Sequence, residues 1–282
     1  MAVKITFKGS PMDLIGRSLS VNNKCPDFKL VSQDLKDVKL SAFAGKIKVV
    51  TSFLSLDTPV CDLQVREFNK RAAGLAQNVI VIGVSRDLPF AQRKFCESNG
   101  IKNVNVLSDY KYSSFGFNCG LHVKQLNLLA RSVLILDADN IVRYKQVVGE
   151  MTNSPDYKDA LDNLGAVIKN PELDFVEEFP TQCKPCEGAV SLLPQSVVVA
   201  KLAEHPGWQS VDDKKITKEF TFADYAGGVL FVDMLASIAD EQGHHPAMTL
   251  SYKKVKVTFT THNAGGLTDN DFIMAKIADE IA

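Results

Sequence analysis

The run Lys46-Ile-Lys-Val-Val-Thr-Ser-Phe-Leu54 leads through Ser55-Leu-Asp-Thr-Pro59 into Val60-Cys-Asp-Leu-Gln-Val-Arg-Glu-Phe68. The first segment is rich in β-branched residues and reads as a buried strand. Beyond Pro59, residues Cys61, Val65, Phe68, Ala72 and Leu75 recur at 4-3-4-3 spacing, which puts them on one helical face. Working outward, Asn78-Val-Ile-Val-Ile-Gly-Val-Ser85 is a second strand and Ser132-Val-Leu-Ile-Leu-Asp137 a third. Strands alternating with helices predict a mainly parallel sheet with helices on its faces, an α/β domain over residues 1–168. Asp137-Ala-Asp-Asn140 predicts a turn into Ile141–Lys145, closing a hairpin.

Residues 169–182 break this rhythm. They hold two prolines and four acids with no clear period, which predicts a linker. Residues 183–282 read as an α+β domain, an antiparallel sheet with helices on one face. Phe222-Ala-Asp-Tyr225 starts a long helix through Val229, Val232, Leu235 and Ile238. Residues 248–262 alternate as a strand, with Val255, Val257, Phe259 and Thr261 on one side. Thr268-x-x-Asp271 predicts a capping box for a last helix carrying Phe272, Ile273, Ile277 and Ile281.

Of the 282 residues, 45% are hydrophobic and 23% charged, which excludes a largely disordered chain. The net charge of −1 provides no field for nucleic acid or an anionic membrane. No stretch approaches the roughly 20 apolar residues of a membrane span, and the N-terminus lacks a signal-peptide core. A cytoplasmic location is expected. There, thiols stay mostly reduced and disulfides tend to be catalytic. Six cysteines are too few for a disulfide scaffold of this size but enough for redox chemistry.

Pro59 places Cys61 in the first helical turn, where backbone N–H groups and the helix dipole stabilise a thiolate. Thr58 can present a hydroxyl to the sulfur or to a substrate. Taken alone, Cys61 fits a small buried packing residue better, and Arg131 a structural ion pair. The surrounding motifs decide between these readings. Phe53-Leu-Ser-Leu-Asp-Thr-Pro-Val-Cys61 with Gln64 and Arg66-x-Phe68-Asn69 resembles the thiol peroxidase branch of the peroxiredoxins. So do Ser85-Arg-Asp-Leu-Pro-Phe-Ala-Gln-Arg-Lys-Phe-Cys96, Leu107-Ser-Asp109, Leu128-Leu-Ala-Arg-Ser132, Phe7-Lys-Gly9 and Pro155-Asp-Tyr157. The resemblance covers about residues 1–168 and implies a thioredoxin-like fold. It implies Cys61 as the peroxidatic cysteine, which becomes a sulfenic acid. It also implies Cys96 as the resolving cysteine, a Cys61–Cys96 disulfide within one subunit, and thioredoxin or a similar dithiol as electron donor. Thr58 and Arg131 match the family's remaining active-site positions. Cys25 and Cys119 stand where that family usually has other residues, and they read as inert packing thiols.

Three of the five histidines cluster late in the chain: His244, His245 and His262. Histidine suits proton transfer near neutral pH. Together with Cys183-Lys-Pro-Cys186 they lack the spacing of a metal site, so no metal is expected. Asp240-Glu-Gln-Gly-His-His-Pro246, Tyr252-x-x-Val255, Thr261-His262 and Gly266-Leu-Thr-x-x-Asp271 resemble pterin-4a-carbinolamine dehydratase. Pro206-Gly-Trp208 and Phe220-x-Phe222-x-x-Tyr225 extend the match over about residues 183–282. This resemblance implies dehydration of 4a-hydroxytetrahydropterin to the quinonoid dihydropterin. The three histidines would carry the proton transfers, and Asp240, Pro246 and Asp271 would bind the pterin substrate. Asp240 departs from the family's frequent glutamate by one methylene. Cys183 and Cys186 read as non-catalytic. The two resemblances together imply a bifunctional homo-oligomer acting on small molecules without a tightly bound cofactor. The competing expectation is a peroxidase whose second domain is only an oligomerisation or protein-binding module.

Overall fold

Residues 4–170, 182–184 and 191–282 are described in the computed structural model. They divide into two units, Met1–Glu177 and Glu178–Ala282. Most of the expected 169–182 linker, and Cys186, lie outside the described residues.

The main sheet of the first unit has seven strands: β1 (Lys29–Val31), β2 (Asp37–Lys39), β3 (Ile47–Ser52), β4 (Val79–Ser85), β5 (Asn105–Ser108), β6 (Ser132–Leu136) and β7 (Val142–Val147). They lie in the order β7-β6-β3-β4-β5-β1-β2. Every residue of β3 and β6 is buried, as their continuous apolar runs require. Helices α1 (Pro59–Ala72) and α2 (Pro89–Ser98) follow β3 and β4, and α4 (Tyr157–Lys169) follows β7; α3 (Ser114–Cys119) is short.

The expected mainly parallel sheet is a mixed one. Only β3–β4 and β4–β5 pair in parallel. A parallel neighbour needs a crossover of a dozen or more residues, usually a helix. Helices α1 and α2 supply those two crossovers. Tight turns force β1–β2 and β6–β7 to be antiparallel, and β6 enters antiparallel beside β3. The 137–140 turn closes the β6–β7 hairpin as expected. The ammonium of Lys48, fully buried in β3, anchors it by donating to the carbonyls of Asp137 (3.0 Å) and Ala138 (3.2 Å) and to Asn140 Oδ1 (2.5 Å). Buried charge without such partners would be costly, and burial still pulls this lysine below its ordinary pKa.

The second unit is an antiparallel sheet of β8 (Gln209–Val211), β9 (Lys215–Thr221), β10 (Ala247–Ser251) and β11 (Lys254–Phe259), ordered β8-β9-β11-β10. Its helices are α5 (Gln195–Glu204), α6 (Tyr225–Gln242) and α7 (Asp269–Ile281). Val255, Val257 and Phe259 are buried while Lys254 and Lys256 are exposed, so one sheet face is covered. Trp208 joins this core through Phe220 and Phe259 and donates its indole N–H to Asp279.

Two expectations here are corrected. The single strand over 248–262 is a hairpin: Tyr252 and Lys253 form the turn between β10 and β11. Fifteen continuous residues exceed the usual strand length, and alternation alone does not reveal a two-residue turn. The buried face of α6 carries Phe231, Leu235 and Ile238, whereas Val229 is exposed. The predicted capping box is present, with Thr268 and Asp271 satisfying each other's backbone N–H. Among the described residues, no helix is long and apolar enough to cross a membrane.

Candidate active sites

Thr58 is the N-cap of α1, Pro59 its first residue and Cys61 the third. The loop ahead of the helix is shaped by Asp87 at the end of β4. Its carboxylate accepts from Ser55 Oγ (2.7 Å), the Leu56 N–H (2.8 Å) and Ser85 Oγ (2.8 Å). The helix thus starts at the carboxyl end of β3, and Cys61 faces inward with no exposure. Its N–H donates to the Thr58 carbonyl at 3.1 Å, so it is not one of the open N–H groups of the helix start. The Thr58 hydroxyl donates to the Ser55 carbonyl at 3.1 Å. Its proton is thus committed, and the oxygen keeps its lone pairs for accepting.

Arg131, 1% exposed, donates from Nη2 to Cys61 Sγ at 3.3 Å. Its remaining nitrogens are held on both sides. Nε donates to the Met151 carbonyl at 3.0 Å, and Nη1 donates to Gln64 Oε1. The Gln64 amide in turn donates to Thr51 Oγ1 (2.5 Å) and the Ser52 carbonyl (3.2 Å). A guanidinium locked in this way presents a fixed positive charge to the sulfur. Gln64 lies three residues beyond Cys61, on the same helical face, and that spacing was the available signal for its role. Met151 contributes only a backbone oxygen, which leaves no mark in a sequence.

Cys96 sits in the last turn of α2, 7% exposed, and accepts from Gln33 Nε2 at 3.3 Å. Burial pushes its thiol above the ordinary range, and the Gln33 contact opposes that shift. Cys61 and Cys96 are both free thiols in this structure. Helices α1 and α2 are joined by Arg66 donating to Asn99, and by Asn69 accepting from the N–H groups of Lys102 and Asn103.

In the second unit, α6 ends at Gln242. Gly243 takes a left-handed conformation (φ 63°), and the His244 N–H returns to the Ala239 carbonyl at 3.2 Å. This reversal sends neighbouring histidines opposite ways. His244 is 6% exposed, lies parallel to the Phe259 ring, and places Nε2 2.8 Å from Asp271 Oδ1. His245 is largely exposed and pairs with Asp240 at 3.0 Å. His262 is exposed and opens a short 3-10 turn directly after Thr261. Thr261 donates to Asp271 Oδ2 at 2.8 Å, so Asp271 links the His244 and His262 segments. Pro246 is half-buried beside His245.

Asp271 was expected to touch substrate, but here it is fully enclosed. Its oxygens are occupied by His244, Thr261, the Thr268 N–H (2.8 Å) and the Thr268 hydroxyl (3.3 Å). Its Oδ1 meets the His244 ring. Its place at the third position of α7 turns it inward, because the same carboxylate closes the helix cap. Cys183 is buried against Asn270 and Gln242.

A buried arginine facing a thiol in the first helical turn after a central strand defines the peroxiredoxin class of thioredoxin-like proteins. Residues 20–161 match the redoxin family, and the chain belongs to it. It is 42% identical over 166 residues to the thiol peroxidase of Bacillus subtilis, an alignment spanning 59% of this chain and 99% of that protein. The solved peroxiredoxin-like protein from Aquifex aeolicus is 36% identical, with a TM-score of 0.56 over 59% of this chain and 98% of that one. Residues 191–281 match the pterin 4 alpha carbinolamine dehydratase family. A solved structure described as a transcriptional coactivator/pterin dehydratase, from Brucella melitensis, is 34% identical over 33% of this chain and 99% of that one, with a TM-score of 0.32. The chain is thus a redoxin domain of the thiol peroxidase type followed by a pterin dehydratase domain.

Proposed function

We propose that the chain is a bifunctional enzyme, a hydroperoxide reductase and a 4a-hydroxytetrahydropterin dehydratase. The observation that carries the first activity is the 3.3 Å contact from Arg131 to the buried Cys61 sulfur. The Cys61 thiolate attacks the terminal oxygen of a hydroperoxide and the O–O bond breaks. The departing alkoxide or hydroxide takes a proton and leaves as alcohol or water, and Cys61 becomes a sulfenic acid. Arg131 stabilises both the thiolate and the charge developing on the leaving oxygen. Thr58 accepts a hydrogen bond from the peroxide O–H. Cys96 then condenses with the sulfenic acid, expelling water and forming the Cys61–Cys96 disulfide. A dithiol of the thioredoxin type reduces that disulfide by exchange and restores both thiols. A reducing compartment such as the cytoplasm suits this cycle.

The second activity rests on the His244–Asp271 pair. An aspartate accepting from Nε2 holds the proton there and leaves Nδ1 as the basic nitrogen of His244. Losing water from C4a requires a general acid at the leaving hydroxyl and a base for the proton on the ring nitrogen. His244, His245 and His262 supply these groups, and Asp240 and Pro246 border the pterin. The exposed Tyr225, Val229 and Tyr252 supply apolar surface for self-association, consistent with a homo-oligomer. The test runs both assays on the full chain. Cys61→Ser should abolish peroxide turnover and spare dehydration; His244→Ala with His262→Ala should do the reverse. If both assays fail in either variant, two independent sites are ruled out.

A further inference from the structure

The turn between β1 and β2 reaches across to the end of α2. It is braced from within. The Ser32 N–H donates to the Lys36 carbonyl at 2.8 Å, the Leu35 N–H to the Ser32 carbonyl at 2.9 Å, and the Lys36 N–H to Ser32 Oγ at 3.2 Å. From this turn, Gln33 Nε2 donates to Cys96 Sγ at 3.3 Å. One turn earlier in the helix, Arg93 Nη2 donates back to the Gln33 carbonyl and to Asp34 Oδ1, the latter at 3.0 Å. Arg93 and Cys96 are three positions apart, so both contacts fall on one face of α2. The body of the helix is held elsewhere. Gln92, fully buried, donates from Nε2 to Ser85 Oγ at 3.1 Å and to the Leu107 carbonyl at 3.0 Å.

We propose that Gln33 and Arg93 form a latch, which holds the Cys96 thiol in α2 and sets the rate of its release to the Cys61 sulfenic acid. This rests on the reading of Cys96 as the resolving cysteine. Gln33 and Arg93 are positioning residues, and neither takes part in the bond changes. A hydrogen bond made at rest and broken before the sulfurs meet stabilises the resting state alone, so its removal speeds the step. The Arg93–Asp34 pair is exposed and adds little, whereas the bond to the Gln33 carbonyl seats the turn on the helix. After release, the Cys96 sulfur bonds to the Cys61 sulfur, and the sulfenic hydroxyl leaves as water with the Cys96 proton. Until then the sulfenic acid is open to a second hydroperoxide, which would oxidise it to a sulfinic acid and leave as alcohol or water. The latch thereby sets how much peroxide Cys61 withstands.

The test uses the full chain carrying Gln33→Leu, which keeps the bulk and removes the donor, or Arg93→Met. In stopped-flow with hydrogen peroxide, Cys61 oxidation should keep its rate in both variants. Disulfide formation should be about threefold faster in Gln33→Leu, in the range for one ordinary hydrogen bond. The peroxide concentration that converts half of Cys61 to sulfinic acid, read by mass spectrometry, should rise by the same factor. With Cys61→Ser added, Gln33→Leu should also speed alkylation of native Cys96 by iodoacetamide, while Cys25, Cys119 and Tm stay unchanged. Disulfide formation that is unchanged or slower in both variants, with Cys61–Cys96 mapped as the product, overturns the latch and leaves the resolving role of Cys96 standing. Faster alkylation of Cys25 and Cys119 as well would mean general loosening and also overturns it. A Cys61 disulfide to any other cysteine in the unsubstituted chain overturns the resolving role of Cys96, and the latch with it.

Discussion

His244 and Asp271 face each other at 2.8 Å inside the second unit, and the same carboxylate caps α7. One residue therefore sets both a ring orientation and a helix start. Asp271→Asn keeps the shape but removes the acceptor that fixes the Nε2 proton. We expect dehydration kcat to fall about tenfold to a hundredfold, as for other lost orienting partners. KM should change little and the pH–rate profile should shift. Peroxidase activity should be untouched. Unchanged dehydration in this variant would show that His244 needs no orienting partner.

Much of this was legible from sequence, for identifiable reasons. Pro59, the strand before it and the apolar spacing after it fixed where Cys61 sits, because helix starts obey local rules. The Thr268–Asp271 cap was equally local. Sheet direction was not, since it depends on which connections carry helices. The burial of Asp271 was not legible, because family spacing reports that a residue belongs to a site, not whether it faces substrate or another side chain. Asp87, Glu150 and the Met151 carbonyl escaped notice because most of their partners are backbone groups or lie far away in the chain.

Arg131 holds three separate contacts at once: the Cys61 sulfur, the Gln64 amide oxygen and the Met151 carbonyl. Lysine cannot reproduce that planar fork. Arg131→Lys should slow sulfenic acid formation by about a hundredfold, in the range for losing an oriented electrostatic donor. Gln64→Ala leaves the arginine charged but free on one side, so a smaller loss is expected. Stopped-flow measurement of Cys61 oxidation separates this step from later ones. Equal losses in the two variants would mean that positioning, not charge, dominates.

The proposed Cys61–Cys96 disulfide joins two free thiols that sit on separate helices. Helices α1 and α2 start from neighbouring parallel strands, with Cys61 third in one and Cys96 eighth in the other. That difference offsets them by about 8 Å along the axes, on top of the usual helix spacing of about 9 Å. On that offset, forming the proposed disulfide is expected to require the last turn of α2 to open. It is closed by Ile101 N–H to the Cys96 carbonyl at 3.0 Å and Gly100 N–H to the Glu97 carbonyl at 3.5 Å, with Gly100 left-handed (φ 61°). A Cβ added at Gly100 would meet nothing within 4 Å, so Gly100→Ala introduces backbone strain alone. At about 1 kcal/mol, this should speed disulfide formation roughly fivefold. Cys61 would then be less prone to over-oxidation. A slower disulfide step in this variant would contradict opening of the α2 end.

Glu150 ties an N-terminal hairpin, in which Ile5–Phe7 pairs antiparallel with Ser10–Met12, to the loop that holds Arg131. Its carboxylate accepts from Thr6 Oγ1 (2.8 Å), the N–H groups of Lys8 and Gly9 (3.0 Å each), and Thr152 Oγ1 (2.6 Å). The next residue, Met151, supplies the carbonyl that anchors Arg131 Nε. The Thr152 hydroxyl and then the Gly9 N–H hold the Glu150 carboxyl far below the usual carboxylate range. A depressed folded-state pKa gives stabilisation that is complete above that range and lost as pH falls through it toward the folded value. Glu150→Gln should thus lower Tm by a constant amount between neutral pH and about pH 6, with the gap narrowing in stronger acid. Peroxidase kcat/KM should fall severalfold as the Arg131 anchor loosens, while dehydration is unaffected. Calorimetry across pH, with peroxide assays at neutral pH, checks both. A gap that widens in acid would reverse the assigned sign.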